Sequence, residues 1–179
     1  MREASFLQSF VAPSATWGDT TKSDPLEIMA HVLGGGPGSR LHRALVEAGH
    51  AVSANAGYDG DVVGVGSLMV AVTPRPGVTQ TQIEEIVAAT ITRLVDEGAT
   101  EDETRRAIRQ QTAGALLALD GLGAAPRMLG GALAIGLPIE SVEQWPARME
   151  AVTQAQVNAA ARSVLARPAI ETTAWLLPA

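Results

Sequence analysis

The sequence predicts an α+β domain, a two-layer sandwich of a mostly antiparallel sheet packed against several helices. Three observations lead there. Strand-like segments cluster in the order strand, two helices, hairpin, several helices, strand, which disfavours a doubly wound parallel sheet with its regular alternation. Helix starts carry Ser, Thr or Asp followed three residues later by an acid or amide, the signature of a capping box. The length, 179 residues, suffices for one domain with a real core and not for two.

Residues 5–13, "SFLQSFVAP", hold Phe6, Phe10 and Val11 and stop at Pro13, as a short strand does. After a polar loop, Asp24, Pro25 and Glu27 read as N-cap, N1 and N3 of a helix with Leu26, Met29, Ala30 and Leu33 on one face. Gly34 ends it. Ser39 caps a second helix with Leu41, Ala44, Leu45 and Ala48 inward. "HAVSANAGY" and "GVGSLMVAV" are small and β-branched and read as a hairpin whose loop exceeds two residues. Thr79 and Gln82 open a helix with Ile83, Ile86, Val87, Ile91, Leu94 and Val95 on one face, the clearest periodic run in the chain. Gly98 closes it, and Thr100 with Glu103 opens the next, which reaches about 119 with Ile108, Ala115 and Leu119 inward. A short Gly- and Ala-rich helix ends at Gly136, and another, from 139, is interrupted at Pro146. Thr153 and Gln156 cap a last helix carrying Val157, Ala160, Ala161 and Val164, and "AIETTAWLLP" is a final strand.

Composition narrows the function classes. A net charge of −6 argues against an electrostatic grip on nucleic acid or anionic lipid, and three Trp, two Phe and one Tyr make a poor base-stacking surface. With no cysteine, disulfides, thiolate zinc and cysteine nucleophiles are excluded. Gly, Pro or charge interrupts every apolar run before it reaches a membrane span, and "MREASFLQSF" lacks the succession of a signal peptide.

"GGGPGSRL" raises the possibility of a phosphate cradle. A P-loop needs a preceding strand and a following lysine; here a helix precedes, and the nearest cation is Arg40. The glycines Gly34, Gly35, Gly36 and Gly38 therefore read as a tight structural turn between two helices, where left-handed backbone costs glycine least. His31, His42 and His50 form neither H-E-x-x-H nor H-x-x-E-H, so no metal site is expected. Ser67 sits inside a strand without the glycines of a nucleophile elbow, and the acids at Glu84–Glu85 and Glu101–Glu103 lie in first helical turns, where the dipole favours them. No catalytic residue is expected in this chain.

The succession "LEIMAHVLGGGPGSRLHRALVEAGHAVSANAGYDG", "VAVTPRPGV", "EEIVAATITRLVDEGATEDETRRA" and "GALAIGLPIESVEQWPARMEAVTQAQVNAAARSVL" closely resembles the non-catalytic repeat of the insulinase/pitrilysin-type zinc metallopeptidases, in their bacterial, processing-peptidase-like branch. The resemblance spans nearly the whole chain and implies a metallopeptidase LuxS/processing-peptidase-like fold. It implies that residues 1–179 are one C-terminal, inactive-type domain of a longer two-domain chain, with the first strand of such a domain absent or shortened. Zinc would then belong to an N-terminal catalytic domain, and this domain would wall the chamber holding a peptide substrate and support packing and dimerisation, homo- or heterodimeric. Some such domains carry a substrate-binding Arg/Tyr pair in a pattern like L-R-E-K-x-G-x-x-Y. Here Val46 and Val52 stand in those places, and neither can hydrogen-bond a peptide. The alternative is a scaffold that keeps the fold without proteolysis. The compartment, cell envelope or cytoplasm, stays open.

Overall fold

The computed structural model describes residues 4–119 and 123–177, with the side chains of 116–119 left aside. Four strands, β1 (Ser5–Ala12), β2 (Ala51–Asp59), β3 (Gly66–Pro74) and β4 (Glu171–Leu176), form one sheet in the order β2-β3-β1-β4. Every neighbouring pair is antiparallel. The register places Phe6 opposite Val72 on one side and Trp175 on the other. Period-two alternation then sends Phe6, Phe10, Leu68, Val70 and Val72 to one face, where all are buried.

Against that face pack α1 (Ser23–Gly34), α2 (Gln80–Glu97) and α7 (Gln154–Leu165), with α3 (Glu101–Leu119) lying beside α1 and α7. Leu26, Met29 and Leu33 of α1, Ile83 and Leu94 of α2, and Val157 and Ala160 of α7 are fully buried. Each large aliphatic side chain contributes about 1.5–3 kcal/mol by leaving water. The expected capping boxes at Thr79–Gln82 and Thr153–Gln156 are formed on both sides, and Thr100–Glu103 exchanges the same two bonds. β4 is locked to the rest by Trp175, whose ring meets Phe6 edge-on at 5.2 Å and whose Nε1–H donates to Glu84 at 2.7 Å.

Three expectations need correction. Asp24 and Glu27 do not cap α1. A 3-10 turn, Thr20–Lys22, runs straight into the helix, and Asp19 caps that turn instead. The Ser23 N–H is taken by the Thr20 carbonyl of the turn, and the two carboxylates reach instead to α6 (Trp145–Ala151). Asp24 pairs with Arg148 at 2.9 Å and Glu27 accepts from Trp145 Nε1–H at 3.2 Å. Second, the helix after Ser39 winds as a π-helix over His42–Glu47, a wider turn. Leu41 and Leu45 are buried, Ala44 half-buried, and Ala48 falls outside, exposed. Third, the helix from 139 is two: α5 (Ile139–Glu143) and α6, broken at Gln144, with Pro146 in the first turn of α6 where its missing N–H costs nothing. Ile108 and Ala115 are half-buried, whereas Leu119's side chain lies outside the described residues.

α4 (Ala124–Ala134) behaves differently. It carries Met128 and Leu133, yet only Ala124 and Ala132 are buried along it. The outer face of the sheet is equally open, with Leu7, Val11, Met69 and Leu176 all more than a third exposed.

The Glu27 contact sets a pH dependence. Burial, the largest influence, raises its pKa from 4.5 to about 7; the Trp145 hydrogen bond opposes this, and Asp61 and Asp24 add to the rise. A carboxyl whose folded pKa lies above its unfolded one stabilises fully below about pH 4.5, and that stability is lost as pH rises through about 7. Glu27→Gln keeps an acceptor for Trp145 and removes the ionisation. Thermal melts should show the variant more stable than the parent at pH 8, by about 1–3 kcal/mol, with the gap closing near pH 4.5. Equal pH profiles for both proteins would refute this.

Candidate functional site

The glycine turn is the feature that most invites a functional reading, and each glycine has its own cause. Gly34 ends α1 where β2 crosses it; a Cβ there would come within 2.7 Å of Ala56 Cβ and of the Asn55 carbonyl carbon. At Gly35 a Cβ would run into the His31 ring. Gly36 and Gly38 have φ of +101° and +82°, backbone that side chains rarely adopt. The chain thus reverses within four residues and delivers Ser39 and Arg40 to the start of α3.

Arg40 does bind an anion there, and the anion is the protein's own. Its Nε and Nη2 donate to the two oxygens of Glu103 at 3.0 and 2.7 Å, a bidentate pair. Nη2 also donates to the Gly98 carbonyl at 2.6 Å, at the end of α2. Arg43 adds a bond to Glu103 at 3.1 Å, and the Thr100 amide another at 2.9 Å. Arg106 returns from α3 to the Gly38 carbonyl at 3.1 Å. The Arg40 and Glu103 side chains are each only 11% exposed. Burial pushes the Glu103 carboxyl up; the Arg40 hydrogen bonds and the Thr100 amide overcome that and hold it at about 2, below its ordinary 4.5. The cleft beside this clamp, lined by His31, Gly35, Ser39, Glu103, Arg106 and Gln110, offers about 10 Å³, room for one water and none for a phosphate.

The other singled-out residues do not converge. His31 meets Gln110 at 2.9 Å, His42 meets Glu47 at 3.3 Å, and His50 sits at the turn into β2. Among the described residues no three His, Asp or Glu side chains group as metal ligands. Ser67 lies on β3 opposite Val11, Glu84 holds Trp175, and Glu101 and Asp102 pair with Arg105. Val46 is half-buried against the core, inside the π-helix. Val52, 52% exposed, is the extra residue of a bulge where β2 slips against β3 between Ala51 and Ser53. Both positions present hydrocarbon only.

Glu103 is the residue that sequence reading missed. The pattern Thr100–Glu103 marked it as a local cap, while its long-range partner lies 63 positions away. The one available signal was an arginine placed in a tight turn with no other anion assigned to it.

The clamp makes a quantitative prediction. A carboxyl with a depressed folded pKa stabilises above its unfolded value, and that stability is lost as pH falls from about 4.5 through about 2. Glu103→Gln leaves Arg40 buried without its counter-charge and should cost about 3 kcal/mol in urea unfolding at pH 7, with a flatter acid limb below pH 4.5. A cost under about 0.5 kcal/mol would show that the clamp carries no stability.

The comparisons fit a domain of this kind. The peptidase M16 inactive domain profile matches residues 3–111. The inactive peptidase domain of a zinc-protease-like protein from Bordetella parapertussis shares the fold, with a TM-score of 0.86 and 20% identity over 99% of this chain and 91% of that one. A protease from Helicobacter pylori gives 0.86 at 14% identity, over 99% of this chain and 42% of its own. The periplasmic protease PqqL from Escherichia coli gives 0.75 at 17% identity, over 98% and 19%. No curated protein matches the sequence. Since the profile spans more than half of the chain, including the glycine turn, the clamp and the hairpin, the chain belongs to the peptidase M16 inactive-domain family.

Proposed function

We propose that residues 1–179 form the non-catalytic, C-terminal domain of a two-domain zinc endopeptidase, and that the domain walls a peptide chamber beside an N-terminal catalytic domain and supports dimerisation. The observation that carries this reading is the joint one of a match to the inactive-domain profile and hydrocarbon at both Val46 and Val52. In this reading zinc, and the activation of water on it, belong to the catalytic domain, while this domain contributes shape. β2 is an outer strand of the sheet, so its free edge can pair with an extended peptide. The bulge at Val52 breaks the ladder at one end, which confines such pairing to residues 53–59. Among the described residues no helix is long and apolar enough to cross a membrane.

Reconstitution tests the reading. The purified chain, dialysed with zinc, should retain no stoichiometric metal and cleave no peptide from a mixed library. Mixed with a catalytic domain bearing H-x-x-E-H from the same source, it should raise peptide cleavage at least about tenfold over that domain alone, by completing the chamber that positions the peptide. Cleavage by this chain alone would contradict the proposal, and failure to stimulate a competent partner would favour the scaffold role.

A further inference from the structure

We propose that the cleft between α3 and the α6–α7 junction binds a short peptide with free termini and an apolar side chain. The site is separate from the chamber reading and needs neither zinc nor the β2 edge, because every residue that lines it belongs to a helix or a helix cap. One wall is a single face of α3, where Thr104 and Ile108, and Arg105 and Arg109, lie four residues apart. The other wall is the corner where α6 ends and α7 begins, with Val152 and Thr153 extended between the two helices. The walls enclose about 540 Å³, within the range of about 300–1,000 Å³ typical of small-molecule sites.

Three features select this ligand. The first is charge. Arg109 on α3 and Glu150 on α6 line the cleft from its two walls, and among the described residues neither side chain meets an opposite charge. Arg105, by contrast, is engaged by Glu101 at 3.5 Å and by Asp102 at 3.0 Å. One open cation and one open anion match a zwitterion, its carboxylate on Arg109 and its ammonium on Glu150. A purely anionic ligand would meet Glu150, and a purely cationic one Arg109. The second is size. From Glu101 to Arg109 the α3 wall is about 12 Å long, and an extended tripeptide spans about 10 Å. A folded partner needs about 800 Å² on each side, more than a cleft of this length offers.

The third is a preformed apolar floor. Val152 and Thr104 are buried and Ile108 is half-buried. The Thr104 hydroxyl donates to the Thr100 carbonyl at 3.0 Å, so the floor turns hydrocarbon to the cleft. Gln154 is held by its side-chain amide on the Ala99 carbonyl at 2.7 Å, and Thr153 by its capping box. The walls are therefore set before a ligand arrives. Binding has to order only the two charged side chains at the rim, which keeps its entropic cost low.

A proton–nitrogen NMR titration of the full chain with the tripeptide alanyl-leucyl-alanine tests the proposal. Saturable shifts should appear at the amides of residues 104–109 and 152–155, with a dissociation constant of about 1 mM or tighter. Amidating the peptide's C-terminus, or acetylating its N-terminus, should each weaken binding about tenfold, the loss of one charge-assisted contact. Arg109→Gln should weaken the free peptide by the same factor and no longer distinguish it from the amide. Glu150→Gln should do the same for the acetylated form. Both residues are exposed, so the variants should fold, and Arg93→Gln, exposed on α2, should bind as the parent does. No saturable shift at about 10 mM peptide would overturn the proposal. So would equal binding of the doubly blocked peptide, binding of free leucine as tight as that of the tripeptide, or shifts confined to β2. Because the readout is local to the cleft, its failure leaves the peptidase assignment untouched, and failure of the cleavage assay leaves the cleft untouched.

Discussion

Glu103 gathers three parts of the chain at one point: the glycine turn through Arg40, the π-helix through Arg43, and the end of α2 through the Gly98 carbonyl that shares Arg40. It also caps the helix in which it sits. A carboxylate removed from water is costly unless several donors replace the solvent, and four hydrogen bonds do so here. The turn's glycines permit the arrangement. Gly34 lets β2 pass close to α1, and Gly36 and Gly38 let the chain reverse sharply enough to aim Arg40 at α3. The sequence GGGPGSR is thus a single device, in which the backbone supplies the bend and the arginine fastens it.

That device bears on function. An arginine beside a glycine-rich turn is a ready anion site, and in this chain the site is filled from within. His31 and His42 meet Gln110 and Glu47, His50 lies at a turn, and Val46 and Val52 present no polar atom. Outward, among the described residues, lie a free strand edge at β2, an open sheet face and the exposed helix α4, as well as a cleft beside Thr104, Ile108 and Gln154. The proposal that this domain of the M16 inactive type works by packing and by shape rests on these properties. The polar bonds from α6 to the start of α1, through Arg148–Asp24 and Trp145–Glu27, give the helical layer a second fastening, at a carboxyl whose burial makes its ionisation costly to the fold.

Much of this was legible in the sequence. The period-3.6 pattern of Ile83, Val87, Ile91 and Leu94 and the boxes at Thr79 and Thr153 fixed α2 and α7, because those signals are local and little competes with them. "LGGGPGSRL" resembles the family's turn, and with the segments that follow it in order the resemblance becomes specific. The failures share a cause. Asp24 and Glu27 matched a capping box, but a tertiary partnership with Trp145 and Arg148 won. Ala48 matched a 3.6 period, but the helix there is wound wider. Glu103's partner lies 63 residues away, beyond any local pattern, and the isolation of α4 emerges only once the layers are assembled.

The central claim, that the cation of the glycine turn is committed to holding the fold, is tested most directly by a double-mutant cycle. Arg40→Met, Glu103→Gln and the double variant would be compared with the parent by urea unfolding at pH 7. Residues bonded in one buried network show coupling energies of up to about 3 kcal/mol. The account predicts at least about 2 kcal/mol between Arg40 and Glu103, with the double variant more stable than the sum of the single losses implies. Additive losses, with coupling below about 0.5 kcal/mol, would contradict it and return Arg40 to the list of cations open to an outside ligand.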